Sequence, residues 1–280
     1  FPEDPFGLDR LARDRGVTII TDCGVAPGMS NLFIGHYANL IQIENFRCLV
    51  GGLPVKRELP WQYKAVFSPI DVIEEYTRPA RYMQNGEIVI REALSDPELV
   101  NFESVGTLES FNSDGLRSLL KTMKIPNMIE KTLRYPGTIE FLSMLRAAGF
   151  FSDSKIKVGE NDISPLDFTA KLVFPQWELS AGEKEFTIMR INIEGWLDGS
   201  KVGYQFDLLD RFDEQTQITS MARTTGYTAT AMVNLMADGN VDMPGVNPPE
   251  QIGKTNKHLP YILNYLKERN IDYIKSEYTW

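Results

Sequence analysis

The stretch FTIMRINIEGWLDGSKVGYQFDL, residues 186–208, carries the clearest fold signal in the chain. Apolar side chains recur at nearly every second position on both sides of Asp198-Gly199, and such a dipeptide between alternating segments is typical of a two-residue hairpin turn. The stretch therefore predicts two long antiparallel strands. The apolar positions that carry this pattern are Phe186, Ile188, Ile191, Ile193, Tyr204, Phe206 and Leu208.

Around this hairpin, a second turn and several helical patterns predict an α+β fold. Asn85-Gly86 separates two short segments and predicts another hairpin. We expect a mixed, largely antiparallel sheet covered by helices. Because hairpin-edged sheets often pair between subunits, we also expect a homodimer. Further helices are predicted over residues 29–41, 69–76, 115–123, 138–148, 165–172, 220–237 and 259–268, and further strands over residues 46–53, 61–67, 128–135 and around 273.

The first twenty residues follow a different pattern. Asp4-Pro5 is a typical helix start, Gly16 is a typical helix end, and residues 17–20 form an apolar strand segment. A helix that leads into such a strand is typical of the last step of a parallel sheet. The other strands of that sheet are not found in the sequence, so we interpret Phe1 as an internal cut in a longer protein.

The composition argues against several classes of function. The formal net charge of −9 and the acidic pI near 4.9 disfavour a nucleic-acid partner, since that binding needs a basic surface. Two cysteines without a CxxC motif predict no metal site and a reduced, cytoplasmic setting. No apolar run reaches the roughly 18 residues of a membrane span. With two histidines and no G-x-S-x-G motif, a His-based hydrolase is disfavoured, and no G-x-G-x-x-G or Walker loop occurs.

Four places combine residues that suggest a binding site, each with a structural alternative. The turn 21–31 joins a strand to a helix, where α/β proteins bind ligands, although a tight turn also needs its glycine and proline. Gly51-Gly52 permits close approach of a ligand or of another backbone. Lys64 could transfer protons if desolvated, or lie solvated at the surface. Arg134 could clamp a carboxylate or pair with a structural acid.

Six short motifs occur in one order along nearly the whole chain. This order resembles the saccharopine dehydrogenase family, in its reductase type and its lysine 6-dehydrogenase relatives. A single motif such as GGLP is weakly specific, whereas the six in sequence are strongly specific. The motifs are DCGVAPGMSN (22–31), VGGLP (50–54), YKAVFSP (63–69), TLRYPGTIEF (132–141), MARTTG (221–226) and PPEQIG (248–253).

The resemblance implies a division of the chain into three parts. Residues 1–25 would be the last helix and strand of a truncated Rossmann domain, with the dinucleotide fingerprint upstream of Phe1. Residues 26–240 would form the substrate-binding and dimerisation domain, and residues 241–280 would return to the Rossmann domain. The fold expected for the middle part is that of the C-terminal domains of glyceraldehyde-3-phosphate dehydrogenase and dihydrodipicolinate reductase.

The chemistry implied by the resemblance is hydride transfer between NAD or NADP and a carbon that bears an amine or imine. The cofactor would be bound mainly by the missing N-terminal domain, and the substrate would be a small amine or amino acid. Lys64 is the candidate catalytic residue. The expected substrate-binding residues are Gly51, Gly52, Leu53, Phe67, Ser68 and Arg134, and the expected cofactor-binding residues are Cys23, Gly24 and Pro27.

Two positions depart from the reductase pattern. Reductases carry Asp where this chain has Ala26, and Cys directly before the GGLP glycines, where it has Val50. Cys48 lies two residues earlier and would face the same side of a strand as Val50. Because two substrate-contact positions have lost polarity, the turn resembles the lysine 6-dehydrogenase branch more than the saccharopine reductases.

Three hypotheses about function follow. The first is the substrate half of an NAD(P)-dependent amine or amino-acid dehydrogenase, inactive as this chain alone because most of the pyrophosphate-binding surface is missing. The second is a non-catalytic dimerising or ligand-sensing relative, which the apolar Ala26 and Val50 also permit. The third is a self-contained hydrolase or isomerase that uses Asp22, Lys64 or Arg134 without a nucleotide.

Overall fold

A nine-stranded mixed sheet forms the centre of the computed structural model, which describes residues 4–279. The predicted parts at residues 1–3 and at residue 280 lie outside the described range. Helices cover the sheet, and two short two-stranded sheets lie apart from it. A 3₁₀ helix (Pro5–Leu8) precedes the α-helices, which are α1 (Asp9–Asp14), α2 (Met29–Tyr37), α3 (Pro69–Thr77), α4 (Leu119–Thr122), α5 (Thr138–Ala147), α6 (Pro165–Trp177), α7 (Ser220–Ala237), α8 (Pro249–Gly253) and α9 (His258–Lys267).

The large sheet runs in the order β13-β11-β10-β2-β7-β3-β4, with β6 also pairing with β7 and β5 pairing with β6. Only β2 and β7 pair in parallel within it, so the sheet is largely antiparallel. The strands are β1 (Thr18–Ile20), β2 (Gln42–Pro54), β3 (Ala80–Gln84), β4 (Glu87–Arg91), β5 (Glu98–Phe102), β6 (Gly106–Asn112), β7 (Asn127–Arg134), β8 (Ile156–Val158), β9 (Asn161–Ile163), β10 (Glu185–Leu197), β11 (Ser200–Arg211), β12 (Gly245–Asn247) and β13 (Tyr273–Thr279).

The predicted long hairpin is confirmed as β10 and β11. Asp198 and Gly199 both adopt positive φ, 49° and 82°, as a two-residue turn of this kind requires. Ile191 and Ile193 are fully buried and contribute to the largest apolar cluster, in which α2, α7, α8 and α9 pack on this face of the sheet. Alternation therefore identified the two strands, while the first half of β10 is buried on both faces, with Phe186 and Ile188 in a second apolar cluster.

Strand β7 is the branch point of the sheet. Its first half pairs with β3 through Met83 and Met128, and its second half, residues 131–134, pairs with β6. Its other edge lies parallel to β2. Strands β2 and β6 therefore flank the second half of β7, which is where the predicted Arg134 lies.

Two predicted elements differ from the observed ones. Residues 61–67, predicted as a strand, form a loop, because Gln62 adopts a φ of 50° and the Ala65 N–H donates to the carbonyl of Trp177 instead of to a strand. The helix predicted over residues 115–123 is confined to α4, because Arg117 adopts a φ of 43°, which a right-handed helix does not accept.

A small parallel sheet joins two segments far apart in sequence, where β1 pairs with β12. Asp4 accepts a hydrogen bond from the Phe6 N–H and so caps the first turn, as predicted. Beyond β12, the chain does not stay beside β1. Helix α8 packs on α2, α9 packs on α7, and β13 extends the large sheet along β11.

Candidate functional site

An open cavity of about 890 Å³ lies between the end of β1, the ends of β2 and β7, and the start of α7. It contains most of the residues that the sequence singled out. The lining comes from seven segments: residues 20–27, residues 50–52, residues 66–67, Glu75, Arg117, Thr132 with Arg134, and Met221, Ala222, Thr225 and Ala229. The start of α7, which carries the MARTTG motif, is therefore part of the lining.

The turn after β1 forms one wall of this cavity. Gly28 has a φ of 141°, and a Cβ there would lie 1.9 Å from the Gly24 carbonyl oxygen, so only glycine closes the turn. Asn31, fully buried, accepts a hydrogen bond from the Gly28 N–H at 3.3 Å and donates to Glu250 at 2.9 Å. The turn that carries Cys23, Gly24 and Pro27 is thus held from the interior.

Cys23 faces the cavity as a neutral thiol. Burial, with a smaller effect from the neighbouring Asp22 carboxylate, raises the pKa of the Cys23 thiol to about 12. A thiolate is the reactive form of cysteine, so Cys23 is not prepared for nucleophilic attack at neutral pH. Its contribution to this wall is an apolar contact surface.

The two glycines of β2 form the floor. A Cβ on Gly52 would lie 2.5 Å from Val66 Cγ2, and one on Gly51 would lie 2.8 Å from Leu133 Cβ. Both positions therefore need glycine because neighbouring segments approach the strand closely. Leu53 is fully buried in a separate apolar cluster and is absent from the cavity lining.

Arg134 lies at the inner end of the cavity and is almost completely buried. Its Nε donates to the Tyr76 hydroxyl at 2.8 Å, Nη1 donates to the Leu133 carbonyl at 2.9 Å, and Nη2 donates to Glu75 at 2.8 Å. The guanidinium also lies 4.4 Å from the centre of the Tyr63 ring. The sequence left open whether Arg134 pairs with a structural acid, and Glu75 is such an acid. One N–H on each terminal nitrogen of Arg134 remains for a ligand.

Of the other predicted site residues, one lines the cavity and two do not. Phe67 lines the cavity, whereas Ser68 is an exposed residue at the start of α3. Lys64 points elsewhere: its amine donates to the Glu178 carbonyl at 3.0 Å and lies 3.7 Å from Glu183. The structure thus brings Lys64 together with the end of α6, and not with the glycines or Arg134.

Sequence reasoning missed a side recess of about 190 Å³ that shares lining residues with the main cavity. Its wall includes Glu130, which is only 5% exposed although it is ionisable. Glu130, Thr132 and Arg134 are alternate residues of β7 and therefore share one face of the strand. The available signal was an acidic residue on the same strand face as a suspected functional arginine.

Residues 4–279 contain neither a metal-binding cluster nor a membrane-spanning helix. No group of three or more His, Cys, Asp or Glu side chains is arranged to hold a metal ion. No helix there combines the length and the apolar character that a membrane-spanning segment needs.

The Saccharopine dehydrogenase C-terminal domain, as a sequence family, matches residues 24–271. This chain belongs to that family. Among its relatives, the mitochondrial alpha-aminoadipic semialdehyde synthase of Bos taurus is 24% identical over 173 residues, which cover 57% of this chain and 19% of the relative. Saccharopine dehydrogenase [NADP(+), L-glutamate-forming] of Pyricularia oryzae is 25% identical over 183 residues, which cover 59% and 40%. The chain thus spans less than half of either family relative.

Two solved structures share the fold. The apo saccharopine dehydrogenase (L-Glu forming) of Saccharomyces cerevisiae matches with a TM-score of 0.77 and 18% identity, over 97% of this chain and 76% of that one. Homospermidine synthase of Legionella pneumophila, in complex with NAD, matches with a TM-score of 0.63 and 11% identity, over 94% and 64%. The predicted family and the predicted α+β fold class are both confirmed.

Proposed function

We propose that this chain is the substrate-binding part of an NAD(P)-dependent oxidoreductase that acts on an amino acid or amine by hydride transfer at a carbon bearing nitrogen. One observation carries the proposal. The expected substrate residues Gly51, Gly52 and Arg134 line the same cavity as the expected cofactor residues Cys23 and Gly24. The names of the relatives, which include a saccharopine dehydrogenase that uses NADP(+), support this reaction class.

The wall formed by the turn after β1 fits the nicotinamide end of NAD or NADP. Ile20, Val25 and Pro27 supply apolar surface there, the Cys23 thiol is held uncharged, and the Asp22 carboxylate is paired with Arg117, so a flat ring would find apolar surface to pack on. Gly24 adds to this fit, since a Cβ there would already lie 3.4 Å from Thr225. When bound, the cofactor supplies the carbon that accepts or donates the hydride.

The chain's own residues would bind and orient the substrate. Arg134 keeps an N–H on each terminal nitrogen and would hold a substrate carboxylate by both, while Glu75 fixes the guanidinium from the other side. Gly51 and Gly52 would form the floor beneath the substrate carbon, and their lack of side chains is required by the close packing of Leu133 and Val66. Phe67 would cover the open side of the cavity and exclude water from the reacting carbon.

The wider architecture belongs to the same proposal. Residues 1–25 would end a Rossmann domain, residues 26–240 would bind substrate and dimerise, and residues 241–280 would return towards the Rossmann domain. The pairing of β1 with β12 supports a contact between the first and last of these parts. The active protein would be a homodimer in the cytoplasm, with the nucleotide held mainly by residues upstream of Phe1.

The test is an assay of the full-length gene product with lysine, saccharopine and carboxyspermidine-type amines, following reduced nicotinamide absorbance with NAD and with NADP. Turnover of one amine, lost when Arg134 is replaced by Met, supports the proposal. Turnover of a substrate without any nucleotide would establish the hydrolase or isomerase hypothesis instead.

A second candidate is a ligand-binding relative without catalysis. The observation that favours it is the absence of an uncommitted base among the described lining residues of the main cavity. Asp22 lies 3.2 Å from Arg117, Glu75 is paired with Arg134, and Lys64 lies outside. Nucleotide and amine binding by the full-length protein without turnover across the amine panel would support this candidate.

A further inference from the structure

The side recess opens beside the main cavity, and Ala26, Pro27, Val50 and Thr132 line both. Its inner wall is made by Glu130 of β7 and by residues 113–115, which follow β6. Gly115 is what makes room for the carboxyl group: a Cβ there would lie 1.5 Å from Glu130 Oε1. The recess is therefore shaped around this one buried acid.

Two polar groups in the recess have no partner. The Ser113 hydroxyl is buried and makes no hydrogen bond. The carboxyl group of Glu130, in a residue that is only 5% exposed, makes no hydrogen bond or ion pair within residues 4–279. A buried polar group without a partner costs stability, so two in one recess call for an explanation. A ligand that donates hydrogen bonds to both would provide their partner.

The other acids near Glu130 already have partners. Arginines neutralise these acids, so the recess as a whole does not need a further cation. The carboxyl group that lacks a partner is that of Glu130. Asp71 is the exception, and it lies exposed at the rim. The pairs are Glu74 with Arg78 at 2.8 Å, Glu75 with Arg134 at 2.8 Å, and Asp114 with Arg81 at 2.7 Å.

We propose that the recess binds an ammonium group of the substrate, with the Glu130 carboxylate and the Ser113 hydroxyl as its acceptors. An ammonium carries three N–H donors and no acceptor, which matches two unpartnered oxygen groups in a small space. Glu130 and Arg134 are four residues apart on one strand face, roughly 13 Å along the strand. The substrate is therefore an aliphatic amine whose ammonium lies several bonds from the group held beside Arg134.

The protonation of Glu130 makes this binding dependent on pH. Burial, reinforced by the Glu75 and Asp114 carboxylates and opposed by Arg117, raises the pKa of the Glu130 carboxyl to about 8. From β2, the thiol of Cys48 also faces it and is uncharged, because burial raises the pKa of that thiol. An ammonium needs the ionised carboxylate, so binding must release a proton at neutral pH and must tighten as the pH rises through 8.

This inference rests on the proposed function, and the experiment separates the two because it measures binding without nucleotide. The full-length protein is titrated calorimetrically with n-butylammonium chloride, and with n-butanol as a neutral probe of the same length, at about pH 6 and about pH 9. The expected result is ammonium binding that is tighter at the higher pH, with proton release at neutral pH and no comparable binding of butanol.

Variants test the residues. Glu130→Gln removes the charge with little change of shape and should weaken n-butylammonium binding at least about tenfold, while Ser113→Ala should weaken it by a smaller factor. Glu103→Gln removes the same charge from an exposed turn and should leave binding unchanged. Ser113→Ala and the pH dependence still test the idea if Glu130→Gln folds poorly. Equal binding of amine and alcohol, or full binding by Glu130→Gln, would overturn it.

The possible results distinguish the ammonium site from the proposed function. A protein that binds n-butylammonium through Glu130 but turns over no amine supports this inference and counts against the proposed function. A protein that oxidises an amine with unchanged KM in Glu130→Gln retains the proposed function and loses the ammonium site.

Discussion

Arg134 and Glu130 lie on the same face of the same strand, yet the chain supplies hydrogen-bond partners for Arg134 and none for the Glu130 carboxyl group. Arg134 donates three hydrogen bonds to the chain and stacks against Tyr63, so the fold holds its charge in place while one N–H on each terminal nitrogen stays available for a ligand. Glu130 has no partner in the described chain, and its pKa is raised to about 8 by burial. Arg134 is positioned by the chain before any ligand binds, whereas Glu130 obtains a partner only from a ligand.

The difference teaches how to read buried charges at a site. A charge with every partner supplied from within the chain contributes to folding and positions what binds next to it. A buried group that lacks a partner costs stability until something binds, and sites for ligands commonly contain such groups. The comparison therefore predicts opposite results for removing the two charges.

Removing Arg134 should have the largest effect. Arg134→Met would leave Glu75, the Tyr76 hydroxyl and the Leu133 carbonyl without their donor, and should lower the free energy of unfolding by roughly 3–5 kcal/mol. Urea unfolding followed by circular dichroism measures this. Adding Glu75→Gln should recover part of the loss, since it removes the stranded carboxylate. A cost below about 1 kcal/mol would show that Arg134 is not held as the fold suggests.

The next effect concerns the space around Glu130. In Gly115→Ala, the new Cβ would overlap the Glu130 carboxyl group, which would have to move, at a cost of about 1–3 kcal/mol. In the Glu130→Ala background the same substitution should cost little, because the overlapping atoms are gone. Unfolding of the two single variants and the double variant gives this coupling energy directly. Additive effects would mean that Gly115 is needed for its backbone and not for the recess.

Glu130→Gln should raise stability at high pH, in contrast to Arg134→Met. Between the usual pKa near 4.5 and the folded value near 8, the native state keeps a proton that the unfolded chain releases, so native stability falls as pH rises. The slope is at most about 1.4 kcal/mol per pH unit.

The variant lacks this contribution, so its stability relative to the native protein should grow from about pH 5 to about pH 8 and then level off. Glu185, whose pKa is also raised to about 7 by burial, is present in both proteins and does not contribute to the difference. A difference that is constant over this range would show that Glu130 titrates normally.

A feature could be predicted from the sequence when residues close together in the chain determine it. The hairpin of β10 and β11 was found because alternation and the Asp198-Gly199 turn are local signals, and α7 was predicted with the observed bounds. The loop at residues 61–67 was mistaken for a strand because its aromatic and β-branched residues favour strands, while its actual partner is the end of α6.

The recess depends on contacts between residues far apart in sequence. Glu75 is 59 residues from Arg134, so no spacing rule could choose between a carboxylate clamp and a structural pair. Ser113, Gly115 and Glu130 come together only because β6 and β7 are neighbours, and the hairpin of β5 and β6 was not predicted at all. The resemblance placed Gly51, Gly52 and Arg134 among the expected substrate residues, and the structure shows that the three line one cavity.

The smallest effect is expected at Lys64. The resemblance makes Lys64 the candidate catalytic residue, whereas the structure places it outside the cavity. Its amine contacts the Glu178 carbonyl and the Glu183 carboxylate, both in the segment that follows α6, and its side chain is 20% exposed, compared with 2% for Arg134. Lys64→Gln should therefore cost less than about 1 kcal/mol of stability and leave kcat of the full-length protein within about threefold. Stopped-flow or steady-state assays with the amine identified from the panel measure this, with Lys157→Gln at an exposed position of β8 as the surface control. A fall in kcat of about a hundredfold with unchanged unfolding, equivalent to nearly 3 kcal/mol, would require the loop at residues 61–67 to bring Lys64 into the cavity during turnover.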